Sequence, residues 1–202
     1  MGGFPFLRKK AMKWILASAS PRRKQLFGEL VEEFDIIPAK GEEKSDTSVP
    51  LDTLALQLAK AKAEEIALLP IAKDKAVLGA DTIVVLGNEV LGKPKDKQDA
   101  KRMLVALSGK THFVYTGVCV SLPTGTSRKE LSGVSKTSVL FEKLTKKQID
   151  DYIKTGSPMD KAGAYGIQDG GLVKEIKGSF TGVVGLPMEL VKELVKQAEE
   201  VK

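Results

Sequence analysis

The run "AVLGADTIVV", residues 76–85, is apolar but for Asp81 and Thr82, and a stretch of that kind reads as a strand running into the core. The segment that follows, "LGNEVLG", supplies a Gly-Asn turn and a short return strand. A carboxylate at position 81 therefore lies near the core, where an uncompensated charge is expensive. Something must stabilise it. Asp81 is either a paired aspartate that fixes strand register or a general base or metal ligand in a cleft, and taken alone it leaves both readings open.

A second stretch, "WILASASPRRKQLF", passes from strand to helix. Residues 14–17 read as a short strand, and from Pro21 onward Leu26, Phe27 and Leu30 are spaced to share one helical face. Ser20 stands where an N-cap belongs and Pro21 where the first helical residue belongs, which leaves unpaired N–H groups pointing out of the strand's end. Such a terminus attracts anions. Arg22 and Arg23 in the first turn oppose the helix dipole, so their presence points to a phosphate or carboxylate bound nearby.

The remaining pattern mixes strands and helices. "EFDIIPA" reads as a second strand, followed by the polar loop "KGEEKSDTSVP" and a helix over about 52–69. "KDKQDAKRMLVALSG" is an amphipathic helix stopped by Gly109. "THFVYTGVCVSLP" and "ELSGVSKTSVLFEKL" are two longer β segments joined through "TGTSRK". Thr145 and Gln148 form a capping box at the head of a helix that closes at Gly156. The Gly-rich "DKAGAYGIQDGG" precedes a strand, "LVKEIKG", and a last helix begins near Leu186. Neither strict strand-helix alternation, nor the Gly fingerprint of a dinucleotide fold, nor a P-loop is present. The expectation is an α/β fold with a mixed central sheet flanked by helices, forming one domain over 13–202 behind a flexible extension at 1–12.

Residue counts close off several chemistries. The one histidine, His112, lies in a strand-like run, so a Ser/His/Asp or Cys/His site would have to use it, and a zinc site of several His and Cys ligands is excluded for the monomer. The single Cys119 cannot form an internal disulfide, and no apolar run reaches membrane-span length, which points to a cytoplasmic protein with no membrane partner. A formal charge of +6 favours anionic partners. What remains is chemistry by carboxylates, lysines, arginines and hydroxyls, with a hard metal ion bound through oxygen. Glu42 and Glu43 follow a strand, Lys93 sits between Gly92 and Pro94, and Asp160 and Lys161 precede glycines that allow close backbone approach. All lie at strand ends or turns, which points to a shared cleft.

The blocks "LASASPRR", "GADTIVVLGNEVLGKP", "LSGKTH", "PMDKAGAYGIQ" and "VVGLP", in this order from about Trp14 to the last helix, resemble the signature of the Maf family of nucleoside triphosphate pyrophosphatases, also called septum-formation inhibitors. The resemblance implies two lobes around a deep cleft, related to inosine-triphosphate pyrophosphatases, and hydrolysis of a triphosphate to monophosphate and pyrophosphate with a divalent metal, Mg²⁺ or alternatively Mn²⁺ or Co²⁺. It further implies a role in clearing nucleotide pools and a link to cell-division arrest. By position, Asp81 matches the proton acceptor. Ser18, Arg22 and Arg23 match the phosphate-gripping helix start. Glu43, Lys62, Lys93, Asp160 and Lys161 match residues lining the cleft, with Glu43 beside Asp81 as metal ligand and Lys93 with the catalytic group. Arg22, Thr82 and Gln168 match the positions that select dTTP and UTP. The pattern departs at Asp169, which follows Gln168.

These parts suit attack of water on the α-phosphorus: a base at Asp81, a metal bridging oxygens, and cations on the departing pyrophosphate. Two other readings use the same composition. One is a nucleic-acid-binding or regulatory protein, against which stands an aromatic content of only 5% and the lack of an RNP-like aromatic pair. The other is a metal-dependent nucleotidyl transferase. A homodimer is the assembly considered, with the nucleotide as partner and no stable nucleic-acid partner.

Overall fold

The computed structural model describes residues 12–41 and 49–201. Strands β1 (Lys13–Leu16), β2 (Phe34–Ile36), β3 (Lys75–Leu86), β4 (Glu89–Leu91), β5 (Thr111–Thr124), β6 (Ser127–Phe141) and β7 (Val173–Lys177) form one mixed sheet among the described residues, in the order β2-β1-β3-β5-β6-β7, with β4 hairpinned onto β3. β1 is parallel to β2 and β3, and every other pairing is antiparallel. Helices α1 (Pro21–Gly28), α2 (Leu51–Ala67), α3 (Lys97–Leu107), α4 (Lys146–Lys154), α5 (Phe180–Val184) and α6 (Met188–Glu200) flank it. The mixed α/β architecture expected from the pattern is the one observed.

β3 is buried on both faces, which is why its sequence lacks alternation. Even-numbered Ala76, Leu78 and Ala80 pack toward α1 and α6, whereas odd-numbered Val77 packs toward Ala59, Ala63 and Ile66 of α2. Asp81 thus falls on the α2 face and Thr82 on the opposite one. α2 presses directly on glycine: a Cβ at Gly79 would lie 2.5 Å from the Ala59 carbonyl oxygen, and one at Gly117 only 2.2 Å from that of Ala55. Glycine inside a strand here serves close helix approach.

The cleft follows from the ladder. β1 pairs with β3 only along 75–78, and β4 takes up the same edge only at 84–86. Between them, 79–83 have no strand partner on that side among the described residues, while β5 covers the other side throughout. One central strand thereby joins the β1/β2 end of the sheet to the β4 end, with an opening at its middle.

Element boundaries differ slightly from the sequence-based expectation. β1 is Lys13–Leu16, α2 is Leu51–Ala67, and the last helix starts at Met188, two residues beyond Leu186. α5 and the 3₁₀ turns at Ser157–Asp160, Ala162–Ala164 and Ile167–Asp169 had no periodic signal, being too short to show one. Met12, assigned to the extension, packs against the α6 core cluster; positions 1–11 lie outside the described residues. No helix among the described residues is long and apolar enough to cross a membrane.

Candidate active site

The opening along β3 is a cleft of about 470 Å³ whose lining includes Asp81, Lys62, Arg22, Arg23, Lys93 and Gln168. Ser18, Thr82, Asp160 and Lys161 line it too, so every site residue expected from the sequence is brought together except Glu43. Glu42 and Glu43 lie outside the described residues. Five cationic side chains and two carboxylates among the described residues give the cleft a net positive field, suited to a polyanion.

The α1 terminus is built as its sequence suggests. The Ser20 side chain accepts from the Arg23 N–H at 3.4 Å, and the Ser20 N–H donates to Ser18 Oγ at 3.2 Å. The two arginines then part. Arg23 donates from Nε to the Gly185 carbonyl at 2.8 Å, and from its two terminal nitrogens to Ser18 Oγ at 3.3 Å and Thr82 Oγ1 at 3.1 Å. That fan ties α1 to the end of β1, to β3 and to the residue closing α5. Arg22 instead crosses the cleft mouth to Asp160 Oδ2 at 3.0 Å. The unfavourable placement of two guanidiniums at a helix start is thus offset within the protein by an acid and by oxygen acceptors, before any ligand arrives. It is Arg23, and not Arg22, that orients Thr82.

Proton directions around Thr82 are determined. Thr116 Oγ1 lies 2.8 Å from the Gly182 carbonyl oxygen, which can only accept, so the Thr116 proton is used there. Thr82 must therefore donate to Thr116 Oγ1, 3.0 Å away, while accepting from Arg23. The Thr82 oxygen offers the cleft an acceptor and no donor.

Asp81 is 5% exposed and forms an ion pair with Lys62, which reaches it from α2. The close packing of α2 at Gly79 and Gly117 sets that approach. A buried pair of this kind answers the question of what stabilises Asp81, and its position at the cleft wall keeps the carboxylate within reach of a ligand. Lys93 makes no hydrogen bond or ion pair with any described residue, so its charge is available to a ligand.

Lys161 lines the cleft but its ammonium is already engaged. It donates to the Ser157 carbonyl at 2.6 Å, to Ser157 Oγ at 3.0 Å and to Asp160 Oδ1 at 2.7 Å. Burial pushes the Asp160 carboxyl up, but the Lys161 and Arg22 hydrogen bonds outweigh it and hold the group below its ordinary value. His112, excluded from chemistry by its sequence setting, is buried against Phe141 and Tyr165, and burial holds its imidazole down at about 4. Cys119 is buried, and its thiol is pushed up to about 12 by that burial.

The model of one family, Maf-like protein, matches residues 13–198. The chain belongs to the Maf family. Among its curated relatives, a dTTP/UTP pyrophosphatase of Agathobacter rectalis is 46% identical over 202 residues, covering 93% of this chain and 98% of the relative. A dTTP/UTP pyrophosphatase of Aquifex aeolicus is 45% identical over 92% of this chain and 95% of its own, and one of Thermococcus kodakarensis 44% identical over 89% and 94%. A solved dITP/XTP pyrophosphatase of Mycobacterium abscessus superposes with a TM-score of 0.35 and 15% identity over 72% of this chain and 94% of that one, too loosely to build on.

Within this Maf-family site, sequence reasoning missed Thr116, Gly185, Tyr152 and Ser157. Thr116 carried a signal, since it pairs across the ladder with Thr82. Gly185 stood in the quoted "VVGLP" block without a role, and Tyr152 and Ser157 are placed by tertiary contacts alone.

Proposed function

We propose that the protein is a nucleoside triphosphate pyrophosphatase that hydrolyses dTTP and UTP to the monophosphate and pyrophosphate. The observation that carries this reading is a buried carboxylate, Asp81, at the wall of a cleft lined by five cations. The names and the high identity of the relatives support it. Asp81 accepts the proton of the attacking water, and Lys62 holds the carboxylate in place. Lys93 and Arg22 take charge on the leaving pyrophosphate, Arg22 exchanging Asp160 for phosphate oxygens. Arg23 and Ser18 hold the helix start that receives the phosphate chain. Gln168 and the acceptor-only Thr82 oxygen face the base, where the imide N–H of uracil or thymine is a matching donor.

Mg²⁺, with Mn²⁺ or Co²⁺ as substitutes, fits this donor set. Such ions bind through one or two carboxylates together with substrate phosphates and water. Asp81 supplies one carboxylate at the cleft wall, no group of three or more acidic, His or Cys ligands occurs among the described residues, and Glu43 is the second carboxylate this reading assigns. When bound, the ion would neutralise phosphate charge in the transition state. The reading extends to a cytoplasmic enzyme whose required partner is the nucleotide itself.

The test is product analysis after incubation with UTP or dTTP and Mg²⁺. UMP or dTMP with pyrophosphate is expected, and EDTA should abolish it. Orthophosphate as the first product would overturn the reading.

A further inference from the structure

Asp169 directly follows Gln168 and is exposed outside the cleft lining. Two segments nevertheless end on one of its oxygens. Tyr152, on the last turns of α4, donates its hydroxyl to Asp169 Oδ2 at 2.5 Å, and Ser157 donates to the same oxygen at 2.5 Å. The directions are set by what lies behind each hydroxyl. Tyr152 accepts the Gly166 N–H at 2.9 Å, and Ser157 accepts from Lys161 at 3.0 Å, so both hydroxyl protons are left for the carboxylate. Burial, and then Asp169 itself, raises the Tyr152 phenol above its ordinary value, which keeps it a donor.

This small network surrounds the residue that faces the base. The Asp169 N–H donates to the Gly166 carbonyl at 3.1 Å, closing the 3₁₀ turn that contains Gln168. A Cβ at Gly166 would stand 2.8 Å from Asp169 Oδ2, 2.8 Å from Lys161 Cε and 2.9 Å from Gln168 Nε2, so three side chains converge on one stretch of backbone. No strand ladder includes that turn. Ile167 anchors the turn in the core, and side-chain hydrogen bonds ending on Asp169 hold its exposed end.

We propose that Asp169 is a positioning residue for substrate selection: by taking the hydroxyls of Tyr152 and Ser157 it fixes the 166–170 turn and thereby the orientation of Gln168 toward the base. The assignment rests on the reading of Gln168 as a base-facing residue given above. Asp169 touches no substrate. Its role needs an acceptor oxygen more than a charge, so Asp169→Asn should largely keep it, whereas Asp169→Ala leaves two hydroxyls without their shared partner.

Two measurements on the full chain test this. Hydrogen exchange without nucleotide should be about tenfold faster across 166–170 in Asp169→Ala than in the wild type, with Asp169→Asn close to wild type and Tyr152→Phe between them. In steady-state assays the UTP-to-GTP ratio of kcat/KM should fall about tenfold in Asp169→Ala while kcat for UTP stays within about threefold, and Asp169→Asn should restore most of the ratio. Unchanged exchange overturns the proposal, as does fast exchange with an unchanged ratio or an equal loss on both nucleotides. Should Asp169→Ala not fold, Tyr152→Phe, with the same two readouts, decides. A wild type that forms no UMP from UTP overturns the proposed function by itself, and the exchange arm still reads whether Asp169 holds the turn.

Discussion

Asp81 and Gln168 face the same cleft from walls held by different forces. The Asp81 wall is a central strand laddered to β5 along its length, with α2 seated on Gly79 and Gly117 so closely that no side chain fits between. The Gln168 wall is a succession of 3₁₀ turns between 157 and 169 that joins no strand ladder; Ala164, Tyr165 and Ile167 anchor it in the core, and Tyr152, Ser157, Lys161 and Tyr165 tie its exposed side by side-chain hydrogen bonds. Backbone ladders and interlocked cores open only with global unfolding, whereas a turn held by side chains opens locally. On the proposed reading the base Asp81 is therefore mounted on the rigid wall, and of the two residues facing the nucleobase Thr82 shares that wall while Gln168 stands on the adjustable one.

The sharpest way to break that contrast is at Asp81. Asp81→Asn should lower kcat by roughly 10²–10⁴-fold with the fold intact, the usual worth of a positioned base. Turnover near wild type would return Asp81 to a role in strand register alone. Steady-state kinetics beside a circular dichroism spectrum separates the two.

Acid should loosen the adjustable wall first. His112 Nε2 lies 2.8 Å from Tyr165 Oη, the anchor of the 3₁₀ turns to β5, and its folded value of about 4 lies below the ordinary 6.5. The unfolded chain thus binds the proton more readily. Stability is full above about pH 6.5 and falls as pH drops toward about 4, by about 3 kcal/mol in total. Urea melts at pH 7 and pH 5 should show much of this loss, and His112→Gln should flatten the dependence. An equal slope in the variant would assign the loss to other groups.

Gly117→Ala tests the rigid wall from behind. The new methyl meets the Ala55 carbonyl oxygen at 2.2 Å, and backbone on both sides must shift. A loss of about 2 kcal/mol in stability is expected. Because α2 also carries Lys62, kcat should fall with it. Thermal melts and turnover measured together would show stability and activity moving as one on this wall.

The smallest effect is expected from Ser157→Ala, which removes one of the two hydroxyls on Asp169 and one acceptor of Lys161. The site is only half-buried, and the loss should stay under about 1 kcal/mol. A loss as large as that of Gly117→Ala would erase the distinction between the walls.

Much of the molecule was legible in order along the chain. The unbroken apolar run of β3, the Ser20 cap with Pro21 behind it, and the Thr145–Gln148 capping box are local instructions, and each forms as written. Asp81 stood out because a charge in an apolar run demands a partner. Lys62 supplies it from 19 residues away. Other roles depended on partners the local pattern cannot reach. Arg22 and Arg23 are adjacent, but neighbours on a helix point about 100° apart, and their partners Asp160 and Gly185 lie 138 and 162 residues on. The sequence brings Lys161 to the cleft, but that Ser157 and Asp160 hold its ammonium there is seen only in the structure. The cleft itself is a property of register: β1 leaves the edge of β3 at Leu78 and β4 joins it only at Val84. Propensity, capping and burial of charge act between near neighbours and are written locally. Which lone pair meets which proton across the cleft depends on how separate elements stack, and only the tertiary structure decides that.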